Sequence, residues 1–149
     1  MEIRIPQPLA VEHEELHVEL GKATKVAGRI GNAARAVAKL LHPHFVKEEA
    51  FALPPLGLLS ALAEGRITPE MRDALAMTDR LKAELAEMLE EHKAIVGAME
   101  ELAAAAKKAR KKKYERFAEK LILHARTEEQ VLYPTAILIG EYLKTKLGG

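Results

Sequence analysis

The sequence contains no cysteine and no tryptophan, and aromatic residues make up only 4% of its 149 positions. Without cysteine there is no disulfide scaffold, no thiolate metal site, no iron–sulfur cluster and no cysteine nucleophile, while the redox compartment is left open. Any nitrogen-donor metal site must be built from the six histidines. A formal net charge of +1 argues against a surface made throughout to hold nucleic acid. Nowhere do about 18 apolar residues run together, so no membrane span is expected, and Met1 to Pro6 lacks the basic-then-apolar order of an export signal. The expectation is a soluble, cytoplasmic chain forming one domain.

Ala, Leu, Glu and Lys dominate and β-branched runs are scarce, a composition suited to an all-α domain. Apolar residues recur three and four apart, the spacing of one buried helix face. The first such face is Leu9, His13, Leu16, Leu20, Ala23 and Ala27, and the second is Ile30, Ala34, Val37, Leu41, His44, Glu48 and Phe51. The third runs Leu81, Leu85, Met88, His92, Ile95, Met99, Leu102 and Ala106; the fourth runs Phe117, Leu121, His124, Glu128, Val131, Thr135, Leu138 and Tyr142. Gly28 and Gly31-Asn32 separate the first pair of helices, Pro54-Pro55 closes the second, and Thr68-Pro69 reads as an N-cap before the third. The turn between the third and fourth helices has no glycine or proline and is placed within Lys107 to Lys113. Pro43 and Pro134 interrupt helical patterns and are expected to kink them.

The chain carries a two-fold internal repeat. Glu12-His13-x-x-Leu16 recurs as Glu91-His92-x-x-Ile95, and His44-x3-Glu48-Glu49-x4-Pro54 recurs as His124-x3-Glu128-Glu129-x4-Pro134. The halves, about 8–55 and 69–147 with a short connecting helix near 56–64, each form a helical hairpin. Together they predict an up-and-down four-helix bundle with a pseudo-two-fold axis through a polar centre.

Residues i and i+4 of a helix are neighbours, so His44 with Glu48, and His124 with Glu128, each offer imidazole and carboxylate to one spot. Unpartnered, such groups in an apolar seam would cost several kcal/mol per charge (about that order). Four histidines and two glutamates are too many for one tetrahedral zinc ion. They suit two adjacent metals, each taking nitrogens from one hairpin, with Glu48 and Glu128 bridging. Mixed imidazole and carboxylate donors fit non-haem iron, with manganese or zinc as alternatives.

With these repeated Glu-His and His-x3-Glu-Glu segments, the chain resembles the hemerythrin family in its HHE cation-binding form, over essentially its whole length. The resemblance implies an oxo- or hydroxo-bridged di-iron centre with His13, His44, His92 and His124 as terminal ligands and Glu48 and Glu128 as bridges. It also bears on His17, four residues after His13. Oxygen-carrying hemerythrins use a His-x3-His pair, and on that pattern His13, His17 and His44 hold one iron while His92 and His124 hold the other and leave a position for dioxygen. The alternative places His17 outside the ligand set or at the surface. His42 falls on the far side of its helix.

Two other patterns compete for the same residues. His13-Glu14-Glu15-Leu16-His17 matches the H-E-x-x-H zinc-protease helix, but no third ligand or substrate-aligning strand accompanies it. A ferritin-like centre needs Glu-x-x-His on two helices, and only Glu14-x-x-His17 supplies one. The basic run from Lys107 to Arg116 reads as a solvated turn favoured by the helix dipole, so neither nucleic acid nor membrane is expected as a partner.

The functional expectation is reversible dioxygen binding for carriage, storage or sensing, within an apolar surround of Leu16, Phe51, Ile95, Phe117 and Val131. No acid or base stands out for turnover, so the reading leans away from an enzyme. The alternatives are a di-iron protein acting on peroxide or nitric oxide or donating iron for repair, and a partner-binding bundle whose metal only staples the fold. Small ligands are expected to approach from the end beyond Pro8 and Pro54, with residues 56–62 controlling access, or between helices.

Overall fold

The computed structural model describes residues 2–148, and among them there are helices and no strands. The four long helices are α1 (Gln7–Thr24), α2 (Arg29–Lys47), α4 (Asp73–Lys108) and α5 (Lys112–Thr127), with a short α3 (Leu59–Ala63) on the crossover and α6 (Tyr133–Leu147) continuing α5. Neighbours around the bundle run α1, α2, α4, α5 and back to α1. Each helix buries the face that its periodicity marks: His13, Leu16, Leu20 and Ala23 on α1, and Ile30, Ala34, Val37, Leu41 and His44 on α2.

Both turns at one end of the bundle depend on left-handed residues. Gly28 precedes α2 with φ +81°. At the other turn the positive φ falls to Arg110, at +58°. The Lys111 amide donates to the Ala106 carbonyl at 2.9 Å and the Arg110 amide to Lys107 at 3.1 Å. These two bonds form a Schellman cap, which explains how α4 can stop without a glycine. The lysines and arginines of this turn are exposed.

The second helix of each half changes character at its glutamate pair. Residues Glu48–Ala52 and Glu128–Leu132 are π-helical, and the amides of Leu53 and Tyr133 reach back five residues to the carbonyls of Glu48 and Glu128. The next residue in each case is Pro54 or Pro134, which has no amide hydrogen for the ordinary α bond. The wider turn accommodates that loss and marks the functional level of the bundle, as single π turns commonly do. Pro43, in contrast, lies inside α2, which continues through it.

The π turn also shifts the register beyond it. Val131, Leu138 and Tyr142, expected in the seam, are exposed, and Tyr133, Ala136, Ile139 and Leu143 are buried in their place. One added residue per turn rotates everything downstream, so Val131 does not belong to the apolar surround.

The core has two parts. One cluster, including Leu16, Val37, Ile95, Leu102, Phe117 and Leu121, fills the bundle toward the two turns. The other, including Phe51, Leu56, Met71, Leu81, Met88 and Tyr133, fills the opposite end, where Ile3, Ile5 and Leu62 pack against it. The end from which ligands are expected to approach is filled by apolar packing, and Leu56, Leu58 and Leu62 of the segment expected to control access take part in it. Between the clusters lies a layer of buried polar residues.

Candidate metal centre

The buried polar layer consists of His13, His44, Glu48, His92, His124 and Glu128, all with relative exposure of 8% or less. One residue of each Glu-His repeat and two of each His-x3-Glu-Glu repeat project inward, so the internal repeat becomes a symmetric shell of donors. Their ligand atoms form two groups within 4.8 Å, His44, Glu48, His92 and Glu128 in one and His13, His124 and Glu128 in the other.

The histidines pair across the two hairpins. His13 of α1 faces His124 of α5 with ring centroids 5.0 Å apart, and His44 of α2 faces His92 of α4 at 4.5 Å. This differs from the expectation that each metal draws its nitrogens from one hairpin. Adjacency around the bundle permits either pairing, since α1 borders both α2 and α5 and α4 borders both α2 and α5, and the ring distances show the cross-hairpin one. The pseudo-two-fold axis still exchanges the two positions.

Each glutamate spans both positions with one oxygen apiece. Glu48 Oε1 is 3.9 Å from His13 Nε2, while its Oε2 is 3.5 Å from His44 Nε2 and 3.9 Å from His92 Nε2. Glu128 Oε2 is 3.4 Å from His13 Nε2 and 3.2 Å from His124 Nε2, and its Oε1 is 3.3 Å from His92 Nε2. Glu128 thus lies within reach of both histidine pairs, and Glu48 also lies between them. Glu48 Oε1 and His124 Nε2 are buried without any hydrogen-bond partner, and both belong to the His13–His124 position. Orphaned buried acceptors are costly, and a cation there would satisfy them together.

The outer nitrogen of every histidine meets a second carboxylate. His13 Nδ1 lies 3.4 Å from Glu49, His44 Nδ1 2.8 Å from Glu91, His92 Nδ1 3.0 Å from Glu129 and His124 Nδ1 2.5 Å from Glu12. An Nδ1–H donated to a carboxylate fixes the tautomer and presents Nε2 as a metal ligand. The sequence reading assigned these four glutamates no role, although the repeat spells each of them beside a ligand. Lys47 in turn pairs with Glu91 at 2.6 Å.

Tyr133 is the larger omission. Its hydroxyl donates to Glu48 Oε2 and lies 3.0 Å from His92 Nε2 and 3.2 Å from His44 Nε2. The corresponding residue of the first half is Leu53, so the tyrosine makes one of two symmetric positions different from the other. The π turn brings it inward, and a uniform helical period could not reveal it.

The protons in this cluster follow from its charges. Burial opposes the imidazolium form of His92 and His124, but Glu128 and the neighbouring carboxylates outweigh it and raise their pKa values to about 10 and about 9. Burial likewise opposes ionisation of Glu128, yet the hydrogen bonds it accepts from the surrounding side chains hold it well below the usual carboxylate range. Burial and the Glu48 and Glu128 charges keep the Tyr133 phenol far above its ordinary value. The Glu128 carboxylate thus sits among groups that hold protons, and metal cations can take the place of the imidazolium charge.

His17 does not join the centre. It is exposed on α1 and faces His42 of α2, also exposed. On that side of the centre, the buried Phe45 stacks on the His13 ring at 4.3 Å. The H-E-x-x-H histidines differ in burial, His13 being buried and His17 exposed.

A model of the hemerythrin HHE cation-binding domain matches residues 7–136. No curated protein and no solved structure matches the chain. Among the described residues, no helix is long and apolar enough to cross a membrane. With a two-position His/Glu cluster on a helical bundle, and with the family pattern covering most of its length, the chain belongs to the hemerythrin HHE cation-binding domain family and is a metal-binding protein.

Proposed function

We propose that the chain is a non-haem di-iron protein that consumes hydrogen peroxide. Imidazole, carboxylate and phenol donors suit iron, with manganese and zinc as the competing metals. The observation that carries the reading is the Tyr133 hydroxyl, placed among His44, His92 and Glu48. A placed phenol can give its proton to a peroxide oxygen as it is reduced, and the fifth histidine that oxygen carriers use is outside this cluster.

Peroxide needs two electrons and two protons to become two waters. An iron pair, when bound, supplies the electrons, and a second peroxide can return them as it is oxidised to dioxygen. The chain's own part is to hold a proton at the Tyr133 phenolic oxygen and to orient the four imidazoles through Glu12, Glu49, Glu91 and Glu129. Its two apolar clusters keep bulk water from the layer between them. A groove of about 320 Å³ between α1 and α5, lined by Leu9, Leu16, Leu123 and Leu132, reaches His124 and offers a small neutral ligand a route along the side of the bundle.

Dioxygen binding remains the second reading, favoured by that same apolar enclosure. The test is to load the chain with ferrous iron anaerobically, then add air or peroxide while recording the visible spectrum. Evolution of dioxygen from peroxide, with no oxy spectrum that disappears on deoxygenation, supports the proposal. A reversible oxy spectrum without peroxide consumption overturns it in favour of carriage.

A further inference from the structure

Two histidines lie outside the centre, and the fold brings them together. His17 is one turn beyond His13 on α1, and His42 is two residues before His44 on α2. Both are exposed, and their ring centroids are 5.7 Å apart. They stand at the edge of a groove of about 220 Å³ whose polar lining is His13, Glu14, His17, His42 and Glu49, with no lysine or arginine. The groove that reaches His124 from the other side carries one glutamate, Glu12, and one lysine, Lys120, among mainly apolar residues. A cation approaching the centre thus meets two carboxylates and no ammonium group on the α1–α2 face, against one of each on the α1–α5 face.

Two imidazole nitrogens on one transition-metal ion, each bonded at about 2.1 Å, lie roughly 3–4 Å apart. Rings with centroids 5.7 Å apart can meet that spacing by side-chain rotation alone. Glu14, one turn before His17 in the same groove, adds a carboxylate. Inward of this cluster, Glu49 Oε2 is 3.4 Å from His13 Nδ1. The other edge of the His13 ring faces the position where Glu48 Oε1 and His124 Nε2 lack partners. Metal-binding groups therefore continue from the surface to the buried centre over one helical turn, about 6 Å of rise.

We propose that His17 and His42, with Glu14, form an exposed divalent-cation site that captures metal and passes it by way of Glu49 and His13 to the buried centre. The site rests on the centre's holding metal and not on what the centre does with peroxide. The test follows anaerobic uptake of ferrous iron by the metal-free full-length chain, quenched at intervals with a ferrous chelator, for the wild type, His17→Gln, His42→Gln and the double variant. Final iron content and melting temperature should be the same in all four. Loading from low ferrous concentration should slow at least about tenfold in each single variant, the lower end of what a cleft that concentrates its ligand adds to an on-rate. The double variant should be no slower, because the two rings act as one site. Titration of the iron-loaded chain with zinc should show one further cation per chain in the wild type and none in His42→Gln. Loading at the wild-type rate in all variants, or no further zinc step in the wild type, would overturn the proposal. Loss of peroxide consumption with these kinetics intact would count against the function proposed above and leave the loading site standing.

Discussion

The hydroxyl of Tyr133 donates a hydrogen bond to the carboxylate of Glu48, although 85 residues separate them and they belong to different halves of the repeat. This bond breaks the two-fold symmetry of the centre. One position is formed by His13 and His124 with orphaned acceptors; the other, formed by His44 and His92, has a phenol among its donors. The two cations are therefore expected to differ in reactivity even though the glutamates treat them alike.

Replacing Tyr133 by Phe removes the phenolic proton while leaving the ring in the buried cluster it shares with Met88 and Phe51. Peroxide consumption should fall by about 10²-fold or more, the usual contribution of a placed proton donor. Iron content should be unchanged. Stopped-flow peroxide decay on protein of known iron content checks this, and an unchanged rate would remove Tyr133 from the reaction.

The outer carboxylates should act on affinity rather than on fold. Glu129→Gln keeps the shape of the partner of His92 Nδ1 but removes the charge that makes the ring a better ligand. Metal affinity should weaken by about 10–100-fold, measured by competition with a chromophoric chelator. The melting temperature of the metal-free variant should not rise, since the hydrogen bond to His92 Nδ1 loses its charge assistance.

Stability of the metal-free chain should depend on pH in a defined direction. His92 and His124 have folded pKa values raised to about 10 and about 9, above the ordinary histidine value near 6.5 (about that). Their contribution is fully present below the unfolded value and is lost as pH rises through the folded values. Melting temperature should therefore fall between about pH 6.5 and pH 10 in the metal-free protein. In the loaded protein, where metal replaces those protons, the fall should be smaller, and loading should release protons.

Most of the bundle was legible from periodicity, because His13, His44, His92 and His124 occupy apolar seam positions and the repeat places them at one level. Three things were not. The pairing of His13 with His124 is one of two that join neighbouring helices and satisfy the same two-fold repeat, so spacing cannot choose between them. The placement of Tyr133, and the exposure of Val131 and Leu138, follow from a π turn that shifts the helical register, which a fixed period of 3.6 residues cannot express. His17 is exposed although His13, one turn before it on the same helix, is buried, and Phe45 of the next helix, stacked on His13, has no signature in the spacing of the first.

The α4–α5 turn allows a test of a different kind. Arg110 holds a left-handed backbone, at φ +58°, that costs a non-glycine residue about 1 kcal/mol. Arg110→Gly should be neutral to stabilising by up to about 1 kcal/mol, with the melting temperature rising by about 2–4 °C. Calorimetry at fixed metal content checks this. A clear loss of stability would mean that the arginine side chain contributes more than its backbone conformation costs.

The central claim is that six buried side chains hold two iron ions beside the Tyr133 hydroxyl, and metal stoichiometry tests it most directly. Chain produced in iron-replete medium, then measured by mass spectrometry for iron, zinc and manganese against protein concentration, should contain two iron ions per chain. His13→Ala and His92→Ala should each lose at least one of them. One zinc per chain, or no bound metal, would contradict the account.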